Sequence, residues 1–99
     1  MAEKEIVWSK LAKLQLTNVL EFYVNRNGNP NYSLKILSEV EDLLKTLSKA
    51  EQIGRLTSNK ISRVISMKVY LIFYEINGNR IEILFFWDNR QDIENRKIK

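Results

Sequence analysis

The sequence predicts one small α+β domain in which two helices cover one face of an antiparallel sheet. Apolar residues recur at helical spacing in the first half of the chain, whereas from Lys60 onward they alternate with a period of two. The chain has 99 residues, of which 44% are hydrophobic, and this is the length and composition of a single folded domain. The predicted domain therefore spans residues 1–99.

One strand and two helices are predicted in the first half. Residues 5–8 (EIVW) form a candidate strand, and Ser9 behind it is a residue type that often caps a helix N-terminus. Apolar spacing predicts a first helix over about residues 10–26, through Ala12, Leu16, Val19, Leu20 and Tyr23. After the Gly- and Pro-containing segment 25–31, a second stripe predicts a helix that ends near Lys49, through Ile36, Leu37, Val40, Leu43, Leu44 and Leu47.

Three antiparallel strands are predicted in the second half, in segments 60–68, 69–76 and 80–87. These segments alternate in polarity or are rich in β-branched and aromatic residues, which favour strands. Together with the first half, they predict one sheet that combines an N-terminal strand with a three-stranded antiparallel meander. The two-helix hairpin is expected to pack on one face of this sheet.

The turn between the last two strands determines which side chains share a face. Asn77-Gly78 is typical of a two-residue hairpin loop. With this loop Glu75 lies opposite Arg80, and the opposite charges favour the register, although a three-residue loop would shift it. The face toward the helices is then fully apolar and consists of Tyr70, Ile72, Tyr74, Ile76, Ile81, Ile83, Phe85 and Trp87.

The opposite face of the predicted sheet is apolar as well, although no helix remains to cover it. Its residues are Val69, Leu71, Phe73, Leu84 and Phe86. A small antiparallel sheet usually turns a polar face to water, and an exposed apolar patch marks an interaction site. We therefore expect a partner protein or a second copy of the chain here; burial under segment 50–59 or under the C-terminal tail is the alternative. Trp87 is expected to plug the core, and Asp88 to face the open side.

The composition excludes several kinds of chemistry. The absence of cysteine removes disulfides, thiolate nucleophiles and cysteine metal sites, and the absence of histidine removes Ser-His, Cys-His and His-metal chemistry. No carboxylates are spaced for a metal, so no metal or cofactor is expected. The longest apolar run, residues 83–87, is too short to span a bilayer, and the N-terminus lacks a signal-peptide core. A cytoplasmic protein without a membrane partner is expected.

The formal net charge of +4 is unevenly distributed. No acidic residue occurs between Gly54 and Tyr74, a stretch that contains Arg55, Lys60, Arg63 and Lys68. The last ten residues add Arg90, Arg96, Lys97 and Lys99. An ordinary solvated surface would account for the net charge alone, whereas concentrated positive charge on a sheet favours an acidic or polyanionic partner.

Three stretches follow one another as strand with helix, second helix, and sheet: IVWSKLAKLQLTNVLEFY, ILSEVEDLLKTLSKAEQIGR and RVISMKVYLIFYEINGNRIEILFFWDNRQD. In this order they resemble the RelE/ParE superfamily of toxins from bacterial type II toxin–antitoxin systems. The fragments FYEI and WDNRQD are the most specific parts of the resemblance, which covers nearly the whole chain. It implies a RelE/ParE-like fold and a toxin that a cognate antitoxin holds inactive.

The resemblance implies two possible activities. ParE-like members inhibit DNA gyrase by binding, whereas RelE-like members cut mRNA on the ribosome with Lys and Arg side chains on the open sheet face and often a Tyr near the C-terminus. Leu71 stands where a RelE-like nuclease carries Arg, and Arg96 stands where the Tyr is expected. Arg90 matches the family's Arg beyond the last strand, so the candidate nuclease residues are Arg63, Lys68 and Arg90.

We expect a ParE-like toxin that binds and inhibits gyrase, and a toxin of this kind would not be an enzyme. A ribosome-dependent mRNA endoribonuclease is the alternative, and an inactive relative that only binds its antitoxin is a third interpretation. The antitoxin is expected to lay an apolar helix or strand on the sheet and helices, contacting Arg63, Lys68, Leu71, Phe73, Leu84, Phe86, Arg90 and Arg96. A homodimer and a heterotetramer with the antitoxin are both compatible with this surface.

Overall fold

The computed structural model describes residues 4–88, which form two helices and a five-stranded mixed sheet. The elements are β1 (Glu5–Trp8), α1 (Lys10–Asn27), α2 (Asn31–Lys49), β2 (Arg55–Leu56), β3 (Ser62–Met67), β4 (Tyr70–Asn77) and β5 (Arg80–Asp88). The strand order is β1-β5-β4-β3-β2, with β1 parallel to β5 and the other pairs antiparallel. The predicted α+β architecture is confirmed, and the short strand β2 is an addition to it.

The helix hairpin covers one face of the sheet. Ser9 caps α1, since its Oγ accepts a hydrogen bond of 2.9 Å from the Ala12 N–H, and α1 ends at Gly28, whose φ of 73° is left-handed. The core between helices and sheet is formed by Ala12, Leu16, Ile36, Val40, Leu44, Leu47, Tyr70, Ile72, Tyr74, Ile81, Ile83 and Phe86. Neither helix within residues 4–88 is long and apolar enough to cross a membrane.

The β4–β5 loop lies one residue later than predicted. It consists of Gly78-Asn79, because Asn77 pairs with Arg80. The glycine has a φ of 61° and occupies the first loop position, which is the glycine position of a type II′ turn. The predicted Glu75–Arg80 pair is therefore wrong: Glu75 lies opposite Glu82, and the Arg80 guanidinium is 3.7 Å from the Glu82 carboxylate on its own strand.

A β-bulge in β5 changes the face of the residues that follow it. Tyr74 pairs with Ile83, but the preceding residue Phe73 pairs with Phe85, so Leu84 is an extra residue in β5. Side chains along a strand alternate between the two faces, and one inserted residue therefore moves every later side chain to the opposite face.

The predicted faces are consequently wrong for the end of β5. Phe86 is 1% exposed and Asp88 is 9% exposed, and both lie on the face that the helices cover. Phe85 is 41% exposed and lies with Trp87 on the open face. Trp87 is thus not a core plug, and Phe86 is not part of the open face.

Hydrogen bonds from Ser9, the N-cap of α1, and from Gln15 in α1 stabilise the bulge. The Ser9 N–H donates to the Ile83 carbonyl (2.9 Å), and the Ser9 hydroxyl donates to the Leu84 carbonyl (3.0 Å). The Gln15 Oε1 accepts a bond of 2.9 Å from the Phe86 N–H. Backbone groups that an irregular strand end leaves without a ladder partner are satisfied in this way.

A second set of contacts fixes the segment between α2 and β2. The buried Tyr74 hydroxyl donates to the Glu51 carbonyl (2.7 Å) and accepts from the Gly54 N–H (3.0 Å). A Cβ at Gly54 would lie 2.7 Å from the Tyr74 Oη, so this close approach requires glycine. Burial raises the pKa of Tyr74, while its bond to Gly54 and the nearby Arg63 charge lower it. The phenol therefore stays protonated and able to donate.

We predict that Ser9→Ala lowers the free energy of unfolding by about 2 kcal/mol, because it removes both a helix cap and the bond to the Leu84 carbonyl. Urea unfolding measures this change. Ser9→Thr keeps the hydroxyl and serves as the control, with a loss of less than about 1 kcal/mol expected. Equal stability of Ser9→Ala and the wild type would show that Ser9 does not hold this junction.

Candidate functional site

The open face of the sheet carries an apolar cluster where β4 begins and β5 ends. This open-face cluster consists of Leu71, Phe73, Phe85 and Trp87. Leu71 pairs with Trp87 across the strands, and Phe73 pairs with Phe85, whose ring centroid is 5.9 Å away in an edge-to-face arrangement. Both helices pack on the other face, so these rings form a partly exposed platform.

The predicted cations of β3 and its following turn do not join this cluster. Arg63 pairs with Tyr74 and therefore lies on the helix-covered face, where its Nη1 donates to the Gly54 carbonyl at 2.7 Å. Lys68 lies in the β3–β4 turn with a left-handed φ of 60°, and its Nζ is 2.9 Å from the Glu39 carboxylate of α2. Neither cation lies on the open face beside the cluster, because each is directed toward the helices or the segment beside them.

The predicted apolar contact residues are only partly brought together. Leu71 and Phe73 lie on the open face as expected, and Leu84 is the half-buried bulge residue. Phe86 is stacked on Tyr70 inside the core, with ring centroids 5.1 Å apart. Phe86 therefore has almost no surface to offer a partner.

Arg90 and Arg96, the remaining predicted contact residues, lie outside the described residues. The open-face residues that sequence reasoning missed are Phe85 and Trp87. The alternation of residues along β5 predicts both side chains in the core. No local sequence signal marks the inserted residue, which moves both side chains to the open face. A bulge is visible only through the pairing of two strands.

Asp88 also faces the helices instead of the open side. It pairs with Tyr70 across the strands. Burial, followed by the proximity of Tyr23, Tyr32 and Asp88, raises the pKa of Tyr70 far above its usual value. Tyr70 is therefore a protonated core phenol and not a proton acceptor at neutral pH.

The chemistry that these residues support is binding. Within residues 4–88, no group of three His, Cys, Asp or Glu side chains is placed to hold a metal ion. The open-face cluster itself contains aromatic and aliphatic side chains without an ionisable group. Exposed aromatic side chains of this kind anchor protein–protein contacts.

Comparison with known proteins identifies the family. The family of the ParE toxin of the type II toxin–antitoxin system parDE matches residues 6–93. Among solved structures, the chromosomal ParDE toxin–antitoxin system from P. aeruginosa matches with a TM-score of 0.72 and 23% identity, over 85% of this chain and 94% of that chain. No curated protein gives a significant match. The structural likeness confirms the fold, and the family match, which covers most of the chain, implies a cognate antitoxin. This chain belongs to the ParE toxin family of type II toxin–antitoxin systems.

Proposed function

We propose that this ParE-family toxin stops growth in the cytoplasm by binding DNA gyrase, and that its antitoxin neutralises it at the open-face cluster. The observation that carries the proposal is the division of side chains between the two sheet faces. The open face offers apolar rings, whereas Arg63 and Lys68, two of the three candidate nuclease cations, contact the Gly54 carbonyl and the Glu39 carboxylate away from it. Arg90, the third, lies outside the described residues.

Cleavage of RNA needs a cation beside the phosphate and a proton acceptor. Arg63 is bonded to the Gly54 carbonyl, and Lys68 is paired with Glu39. Both cations would have to leave these partners to reach a substrate on the open face. Leu71, where a RelE-like nuclease carries Arg, places an aliphatic side chain there instead. These contacts favour a ParE-like binding toxin over the ribosome-dependent endoribonuclease.

The open-face cluster suits an antitoxin segment that lies along the sheet. Phe85 and Trp87 supply aromatic surface with few rotatable bonds, and such residues dominate the free energy of binding in many interfaces. Leu71 and Phe73 extend this surface onto β4. Acidic side chains of the antitoxin have candidate partners in the basic C-terminal segment, which contains Arg90 and Arg96.

Residues 1–99 act as one toxin domain in this proposal. The free toxin would form a homodimer through the open-face cluster, because pairing two copies covers the exposed rings. Binding of antitoxin would displace that contact and produce a heterotetramer or a simpler toxin–antitoxin pair.

Induction of the chain without antitoxin tests the cellular activity. Plasmid supercoiling and transcript integrity are followed in the same culture. The proposal predicts loss of negative supercoiling while transcripts remain intact. Rapid transcript cleavage with normal supercoiling would contradict it and would favour the endoribonuclease.

The antitoxin site is tested with Phe85→Glu, which places a charge among the aromatic rings of the open-face cluster. We expect at least about a tenfold loss of antitoxin affinity by calorimetry, because a charge would be buried against apolar side chains. Ile61→Glu is the matched control, since Ile61 is 64% exposed and lies directly before β3, outside the open-face cluster. Equal affinities of the two variants would remove the open-face cluster from the antitoxin site.

A further inference from the structure

A second exposed apolar surface lies at the β2 edge of the sheet. Ile53, Leu56 and Ile61 are 46%, 48% and 64% exposed, and all three belong to the segment that enters and forms the β2–β3 hairpin. We call residues 53–61 the hairpin surface. Single exposed aliphatic residues are common, but several in one short segment suggest a contact site.

The strand pairing places Leu56 on the same side of the hairpin as a cation. Leu56 lies opposite Arg63, and Arg63 lies opposite Tyr74 of the core. Ile61 lies in the hairpin loop, directly before β3 begins. Leu56 and Arg63 are therefore on the face opposite to the open-face cluster.

Hydrogen bonds hold the tip of the hairpin in one conformation. The Asn59 Oδ1 accepts from the Ile61 N–H (2.8 Å), the Ser62 N–H (2.9 Å) and the Thr57 hydroxyl (2.9 Å). The Thr57 N–H donates to the Ser62 carbonyl at 2.9 Å. A surface that is already ordered loses little conformational entropy on binding.

The base of the hairpin is fixed as well. The Arg63 guanidinium binds the Gly54 carbonyl, and the Tyr74 hydroxyl binds the Gly54 N–H. Ile53 and Leu56 lie on either side of Gly54 in the chain, so these bonds connect the exposed aliphatic residues to the core. Hydrogen bonds therefore fix the hairpin surface at both its tip and its base.

The charge of the hairpin surface indicates the chemistry of its partner. No acidic residue occurs between Gly54 and Tyr74, whereas Lys60 is exposed in the hairpin loop and Arg63 lies on the same face as Leu56. A complementary surface must therefore be acidic, with an apolar recess for the aliphatic side chains.

We propose that the hairpin surface is where the toxin contacts its target, through an acidic and partly apolar cleft on a folded protein. The inference rests on the proposed function, and it assigns target and antitoxin to different surfaces. A rigid projection fits a preformed cleft, whereas the broad open-face cluster suits an extended antitoxin segment. The strand order separates β2 from β4 by β3, roughly 10 Å across the sheet, and Leu56 lies on the face opposite to the open-face cluster.

The test uses the full chain with Leu56→Ser and Ile61→Ser combined, expressed without antitoxin. Both side chains are exposed, and thermal unfolding verifies that the variant is folded. We expect growth arrest to require at least about tenfold more toxin than the wild type, because two aliphatic side chains that the partner would bury are replaced by polar ones. Antitoxin affinity, measured by calorimetry, should stay within about twofold of the wild type, since its site is elsewhere.

Leu34→Ser, at a residue of α2 that is 58% exposed and belongs to neither surface, is the control, with growth arrest and antitoxin affinity unchanged. Full growth arrest by the folded hairpin variant at wild-type protein level would overturn the inference, and so would an equal loss of antitoxin affinity. Purified gyrase in a supercoiling reaction separates the two proposals. If the wild type arrests growth but does not inhibit that reaction, gyrase is not the target, while the growth assay still decides the role of the hairpin surface.

Discussion

The junction between α1 and the bulge of β5 determines what this toxin presents to other molecules. Ser9 caps α1 and also donates its hydroxyl proton to the Leu84 carbonyl, while Gln15 accepts from the Phe86 N–H. The side chains of the N-cap Ser9 and of Gln15 in α1 thus satisfy backbone groups beside the inserted residue. The bulge then turns Phe85 toward the open face.

The apolar character of the strand does not select this register by itself. Phe85 and Phe86 are adjacent and identical, and burying either ring contributes a similar transfer free energy, on the order of 2–3 kcal/mol. Hydrogen bonds and ring stacking therefore decide which of the two rings is buried. With the bulge, Phe86 stacks on Tyr70 and the backbone of β5 meets Ser9 and Gln15. The bulged register also exposes Phe85 beside Phe73. Packing in the core therefore determines which ring belongs to the surface proposed for the antitoxin.

The regular elements could be predicted from the sequence, and the irregular ones could not. Helical spacing and Ser9 located α1 and α2 within one or two residues of their observed bounds. The sequence around Gly78 contains both Asn-Gly and Gly-Asn, so either dipeptide could form the loop, and β2 with two residues is too short for a periodic signal. The sequence shows that Arg63 and Lys68 are cations, but their partners, the Gly54 carbonyl and the Glu39 carboxylate, belong to other segments, and both contacts depend on the folded chain.

The register of β5 decides which phenylalanine ring is buried, and nuclear Overhauser contacts between aromatic rings test it without altering the protein. The structure predicts contacts between the rings of Tyr70 and Phe86, whose centroids are 5.1 Å apart, and between those of Phe73 and Phe85, at 5.9 Å. Contacts between the rings of Tyr70 and Phe85, together with the absence of both predicted pairs, would contradict the bulge. That result would return Phe85 to the core and remove the basis of the open-face cluster.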